Sequence, residues 1–192
     1  MECQEKTKKQ LPRNTQMTKY SLNDIIKMIS ELASRINAPG SSLPTYNFPI
    51  GDATPYIEVD NDGYMYFIIS ERGTEFSREK FDNIDDFLYR IFSSATFSMA
   101  CSYELKHRIE DKDCRRIIFA KQEELLGQLN ETWRERGYAR HQLFLKAAPY
   151  DDLAGLRATY CRELRNQGYS EEDIDKIAYA KYPKNEKNTE KE

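Results

Sequence analysis

At 192 residues the chain is long enough for one domain with a sizeable core, and 39% hydrophobic with 32% charged residues makes its surface highly charged. The net charge of −3 is uneven: residues 1–19 carry five Lys/Arg against two Glu, which leaves 24 basic against 30 acidic residues, or −6, in the remainder. Such a body, without a Lys/Arg stripe, is poorly suited to gripping phosphate backbones, and its longest apolar run, Tyr64–Ile69, is far short of the ~20 residues that span a bilayer.

The N-terminus, MECQEKTKKQLPRNTQ, is positively charged but lacks the apolar stretch of a secretory signal. The expectation is a cytoplasmic protein with neither nucleic acid nor membrane as partner. Cys3, Cys101, Cys114 and Cys161 form no CxxC pair, and the two histidines, His107 and His141, lack the close spacings of a zinc site. Free thiols, no metal and no cofactor are expected.

Residues 1–19 read as a disordered lead-in. The first helix opens at Ser21-x-x-Asp24, a capping-box pattern, and Leu22, Ile25, Ile26, Ile29, Leu32, Ala33 and Ile36 recur at helical spacing until Pro39-Gly40 stops it. Residues 38–55, with four prolines and two glycines, read as a long loop. Two strand-like runs, Tyr56–Asp60 and Tyr64–Ser70, flank Asn61-Asp62-Gly63, where Asp-Gly is a hairpin signal. Phe67–Ile69 is apolar on both faces, so helices should cover it.

From Phe81, the positions Ile84, Phe87, Leu88, Ile91, Phe92, Ala95, Met99 and Tyr103 keep a 3.6-residue rhythm, broken at EDKD. A third long helix is predicted through CRRIIFAKQEELLGQLNETWRER, interrupted at Gly137, with a short helix over ARHQLFLKAAP. Asp151-Asp152 precede LAGLRATYCRELRNQ, which Gly168 ends, and Ser170-Glu171-Glu172-Asp173 caps a last short helix. The prediction is a single α+β domain over 20–184, mostly α-helical, in which one β-hairpin at about 56–70 packs against five to six helices. Residues 185–192 read as a frayed tail.

No phosphate-cradling glycine loop, GxSxG elbow or HExxH occurs. Cys101 and His107 lie six residues apart on one helix, about 240° net, and so point away from each other. Charge sits amid large apolar residues at Glu71-Arg72, at Glu104 and Arg108, and at Arg115-Arg116. An acid and an arginine could act as general base and oxyanion clamp, but no nucleophile accompanies them. The expected role is a structural ion-pair network in which Glu71 and Arg72 pair with helix residues such as Arg108, Glu104 or Arg115. No catalytic residue is assigned.

The blocks YIEV, YMYFIISERG, DNIDDFLYRIFSSATFSMACSYELKHRIEDKDCRRIIFAKQEELLGQL and HQLFLKAAPYDD, in that order over Tyr56–Asp152, resemble the bacterial polymorphic-toxin immunity family called Immunity protein 63. The residues that carry the resemblance are Glu71-Arg72-Gly73, Leu88, Ile91-Phe92, Met99-Ala100, Tyr103-Glu104-Leu105, Arg108-Ile109, Arg115-Arg116, Gln122, Leu125-Leu126 and Asp151-Asp152. The family pattern prefers His-Pro-Phe-Asp-Asp where this chain has Ala148-Pro149-Tyr150-Asp151-Asp152.

The resemblance implies a non-enzymatic protein that binds a cognate toxin domain and neutralises it by covering its active site. Asp85, Asp86, Tyr150, Asp151 and Asp152 are then candidate toxin-facing residues, suited to a basic partner. Rival readings are an adaptor domain, a hydrolase using Glu71 and Glu104 as paired carboxylates, and a nucleic-acid regulator using the basic lead-in and Arg115-Arg116.

Overall fold

The computed structural model describes residues 19–184, so the expected lead-in up to residue 18 and the tail 185–192 lie outside the described residues. Helix α1, Leu22–Arg35, begins at the reciprocal cap: Ser21 Oγ accepts the Asp24 N–H at 3.2 Å and the Asp24 carboxylate accepts the Ser21 N–H at 3.1 Å. It buries Ile25, Ile29 and Ala33.

Two short strands follow, β1 (Thr45–Tyr46) and β2 (Tyr56–Val59), paired in parallel. β3 (Met65–Glu71) runs antiparallel to β2 across the predicted hairpin turn. The Asp60 carboxylate organises that turn, accepting the N–H groups of Asp62 and Tyr64 and the Tyr66 hydroxyl at 2.9–3.0 Å, while Gly63 takes φ +89°.

Here the structure departs from the single-hairpin prediction. Arg72 and Gly73 both have positive φ, 50° and 81°, the backbone of a two-residue primed turn, and the chain returns as β4 (Thr74–Phe81). The sheet therefore has four strands in the order β1-β2-β3-β4. The sequence TEFSREKF hides this strand because β4 is an edge and carries Ser77 and Glu79 opposite Ile69 and Phe67. Only Phe81 joins the core, so no apolar alternation announces it.

Asn83 caps α2, Ile84–His107, accepting the Asp85 and Asp86 N–H groups at 2.8 and 3.1 Å. α2 buries Phe87, Leu88, Ile91, Phe92 and Ala95, which meet Ile57, Met65 and Phe67 from the sheet and Ile25 and Ile29 from α1 in one core. The predicted third helix is in fact two. α3 spans Arg115–Leu129; Asn130 then leaves helical geometry at φ −160° and caps α4, Glu131–Ala147, by accepting the Thr132 N–H at 2.8 Å.

Gly137 does not interrupt α4 but lies inside it. A Cβ there would stand 2.7 Å from Leu126 Cδ1, so its bare Cα is what lets α4 approach α3 this closely. Trp133 of α4 stacks 6.1 Å from Phe92 and donates its indole N–H to Asp85 at 2.9 Å.

α5 (Ala154–Asn166) and α6 (Glu171–Lys181) turn at Gly168, φ +86°, and pack chiefly on each other through Leu164, Ile174 and Ala178. The α+β, mostly helical class read from the sequence holds, with six α-helices among the described residues.

Candidate functional site

α3 packs against both α2 and α4, which meet over it at one end only. There Trp133 packs against Tyr89 and Phe92, and the Arg136 guanidinium lies 3.8 Å over the Tyr89 ring. Beyond this clasp the lining residues Ser93, Ser94 and Gly137 are small and leave the space between the two helices unfilled. The result is a groove of about 760 Å³ with α3 as its floor, within the size range of ligand clefts.

A buried polar chain builds the floor. His141 of α4, 3% exposed, stacks face to face on Phe119 of α3 at 4.0 Å. Its Nε2 lies 2.9 Å from Gln122 Oε1 and its Nδ1 2.7 Å from Glu123 Oε1. Gln122 in turn donates from Nε2 to the Ser93 carbonyl of α2 at 2.9 Å. That last bond sets the orientation of the amide, so Gln122 Oε1 accepts from His141. α2, α3 and α4 are thus tied together beneath the groove by groups that satisfy one another.

Three arginines line the walls. Arg90 of α2 holds Glu79 of β4 with Nε at 2.9 and 3.0 Å from its two oxygens and packs 4.0 Å over the Phe67 ring. Arg115 closes the far end. It chelates Asp113 and donates to the Ala148 and Pro149 carbonyls at 2.7 and 2.8 Å, so it caps the C-terminus of α4. Burial pushes the Asp113 carboxyl up, but hydrogen bonds from Arg115 and from the Asp151 and Arg115 N–H groups outweigh this and hold it below the ordinary range.

Arg140 differs from the other two. It is exposed, lies 5.6 Å from the Phe144 ring centroid, and forms no salt bridge among the described residues. Phe97 of α2 and Phe144 of α4, 45% and 51% exposed, form an apolar rim on opposite sides.

Of the charged residues singled out in the sequence, Arg115 lines the groove and the others fall elsewhere. Glu71 and Arg72 sit at the tip of the β3–β4 hairpin. Arg72, with its side chain 89% exposed, reaches only Glu71, at 3.6 Å. The expected partnership with helix residues is not made, because a two-residue turn at the end of an edge hairpin points into solvent. Glu104 is 2% exposed and held by Arg108, one turn on, at 2.8 and 2.9 Å. Those two bonds lower its carboxyl pKa against the opposing effect of burial. Neither Glu71 nor Glu104 lines the groove.

Arg116 pairs with Asp152 at 2.8 Å and lies 4.1 Å over the Tyr150 ring. Hydrogen bonds from Arg116 and then from the Asp113 N–H bring the Asp152 carboxyl down to about 2. Asp151 is buried and bound by Arg157, which also donates to the Tyr182 carbonyl. It is a structural group and is not available to face a partner. Asp85 and Asp86 are half-exposed but committed to Trp133 and Arg136.

Sequence reasoning passed over His141, Arg140, Phe97, Phe144, Arg90 and Glu79. A signal was present on α4, where Gly137, His141 and Phe144 follow at i, i+4 and i+7, one face of a helix that also has a small residue.

No curated protein and no solved structure matches the chain. Residues 60–143 match the family model described as Immunity protein 63, which supports the family that the sequence blocks resemble.

Proposed function

We propose that the protein is an immunity protein: it binds a cognate bacterial toxin domain in the cytoplasm of the producing cell and neutralises it by occlusion, without chemistry of its own. The observation that carries this is the overlap between the family match and the groove. Of the side chains lining the groove, all but Phe144 and Ala148 lie within residues 60–143. The matched segment therefore supplies most of a concave surface, with a rigid floor and the Phe97 rim, of the kind that hot-spot side chains occupy in tight complexes. Occlusion asks only for such a surface and a partner that fits it.

The test is growth. The C-terminal domain of a large secreted protein encoded beside this gene is expressed in a test bacterium with and without the chain. Rescue together with a stoichiometric complex on co-purification supports the proposal. Killing that the chain does not relieve, with no complex formed, overturns it.

A further inference from the structure

Many surface arginines are closed in ion pairs. Arg78 is shared by Glu58 and Glu75, Arg134 is paired with Glu131, Arg136 with Asp85 and Asp86, and Arg165 with Glu171. The groove holds one of the arginines that lack such a partner. It is lined by three arginines and one acid, Glu79, and that acid is spent on Arg90. Asp113, outside the groove, neutralises Arg115. Arg140 is left as a cation at the rim with no acid of its own among the described residues.

Its setting favours a carboxylate. The guanidinium carbon lies 5.6 Å from the Phe144 ring centroid, and a guanidinium N–H edge binds a carboxylate in bidentate fashion. Phe97 on the opposite wall and Ile118 between them offer apolar surface, while the His141–Gln122–Ser93 chain keeps the floor closed and its polar groups satisfied. The complement of a cation set between aromatic walls is an anion beside an apolar side chain.

We propose that the groove between α2 and α4 is the docking cleft for an acidic, aromatic-bearing protein segment: a partner carboxylate pairs with Arg140 and a neighbouring apolar side chain enters between Phe97 and Phe144. This reverses the charge preference inferred from the acidic body, since the groove and not the average surface meets the partner. For the identity of that partner, a segment of the toxin domain, it rests on the immunity reading; the chemistry of the groove does not depend on it.

Two arms keep the two ideas apart. In the first, isotope-labelled chain is titrated to ~1 mM, a concentration that reveals binding worth about 4 kcal/mol, with the peptides Glu-Phe-Asp-Leu and Lys-Phe-Lys-Leu, both end-capped. The acidic peptide is expected to shift the amide signals of Phe97, Ile118, Arg140 and Phe144. The basic peptide, or the acidic one on R140E, should do so at least ~tenfold more weakly, as reversal of one charge pair implies. No shift, shifts away from the groove, or equal responses overturn the proposal. So does displacement of the acidic peptide by a single-stranded oligonucleotide with a steep salt dependence, which would assign the groove to phosphate.

In the second arm the toxin domain is titrated with wild type, R140E, F144A and, at the remote hairpin tip, R72E. Loss of affinity confined to R140E and F144A supports the cleft. Equal binding by all four overturns the cleft and leaves the immunity reading standing. Failure of wild type to bind overturns the immunity reading, and the first arm alone then decides the chemistry of the groove.

Discussion

His141 and Gln122 hold each other at 2.9 Å in the interior, and through Gln122 the imidazole is linked to the backbone of Ser93 on a third helix. The pair gives the groove a floor that cannot rearrange without leaving a buried polar group unmet. Replacing His141 with Phe keeps a ring against Phe119 but strands Gln122 Oε1 and Glu123. An unmet buried partner costs about 1–3 kcal/mol, so the urea midpoint of H141F should fall with its slope unchanged. A variant as stable as wild type would show that water enters and satisfies those groups.

Gly137 and Leu126 set the distance between α3 and α4. Gly137→Val would force a branched side chain into a space where even a Cβ stands 2.7 Å from Leu126 Cδ1. Overpacking of this kind costs about 1–3 kcal/mol, and the thermal midpoint should drop. Leu126→Ala relieves the crowding but opens a cavity worth about 2–5 kcal/mol. The double variant should therefore lose less than the two single losses together, as residues in contact do.

The hairpin tip reverses an expectation drawn from the sequence. Were Glu71 and Arg72 a buried pair, Arg72→Ala would cost about 3–5 kcal/mol. Arg72 is exposed instead, and its replacement should change stability by less than about 0.5 kcal/mol. The sensitive residue is its neighbour. Gly73 at φ +81° permits the turn, so Gly73→Val should destabilise by about 1 kcal/mol or more. Thermal melts of both variants check the contrast.

The corner that joins α5 and α6 to the body is ionic, with Arg157 closing over buried Asp151. Arg157→Leu leaves that carboxylate buried without its cation, a loss of about 3–5 kcal/mol. Because these two helices pack chiefly on each other, the loss should appear first as faster amide exchange within 154–181 and only later in the groove. Uniform acceleration across the chain would show that the corner unfolds together with the core.

The same corner sets an acid limit. Asp152 titrates at about 2, below its ordinary 3.8, and the Glu104 and Asp113 carboxyls are lowered as well. The unfolded chain takes up these protons first. The stability they add is therefore complete above the ordinary carboxylate range and is lost as pH falls from there through the folded-state values. In R116A, carbon-detected titration should find the Asp152 carboxyl closer to 3.8. A value still near 2 would assign the shift to the Asp113 N–H and Lys112.

The features legible along the chain are local. Capping boxes, Asp-Gly and Gly168 act within a few residues, so α1, the first hairpin, the start of α6 and the α5–α6 turn were all legible, as were the helical class and the family blocks. β4 was not, because an edge strand with one face in solvent owes its existence to its partner β3 rather than to its own pattern. The break at Asn130 was hidden because Asn-Glu-Thr reads equally well as helix surface until the chain reverses there. The groove depended most on tertiary structure. Phe97, Arg140, His141 and Phe144 look like ordinary helix residues, and only the space left between α2 and α4 beyond Trp133 makes them a surface. The pairs of Arg116 with Asp152 and of Arg136 with Asp85 and Asp86 join residues tens of positions apart, and chain folding alone brings those residues near.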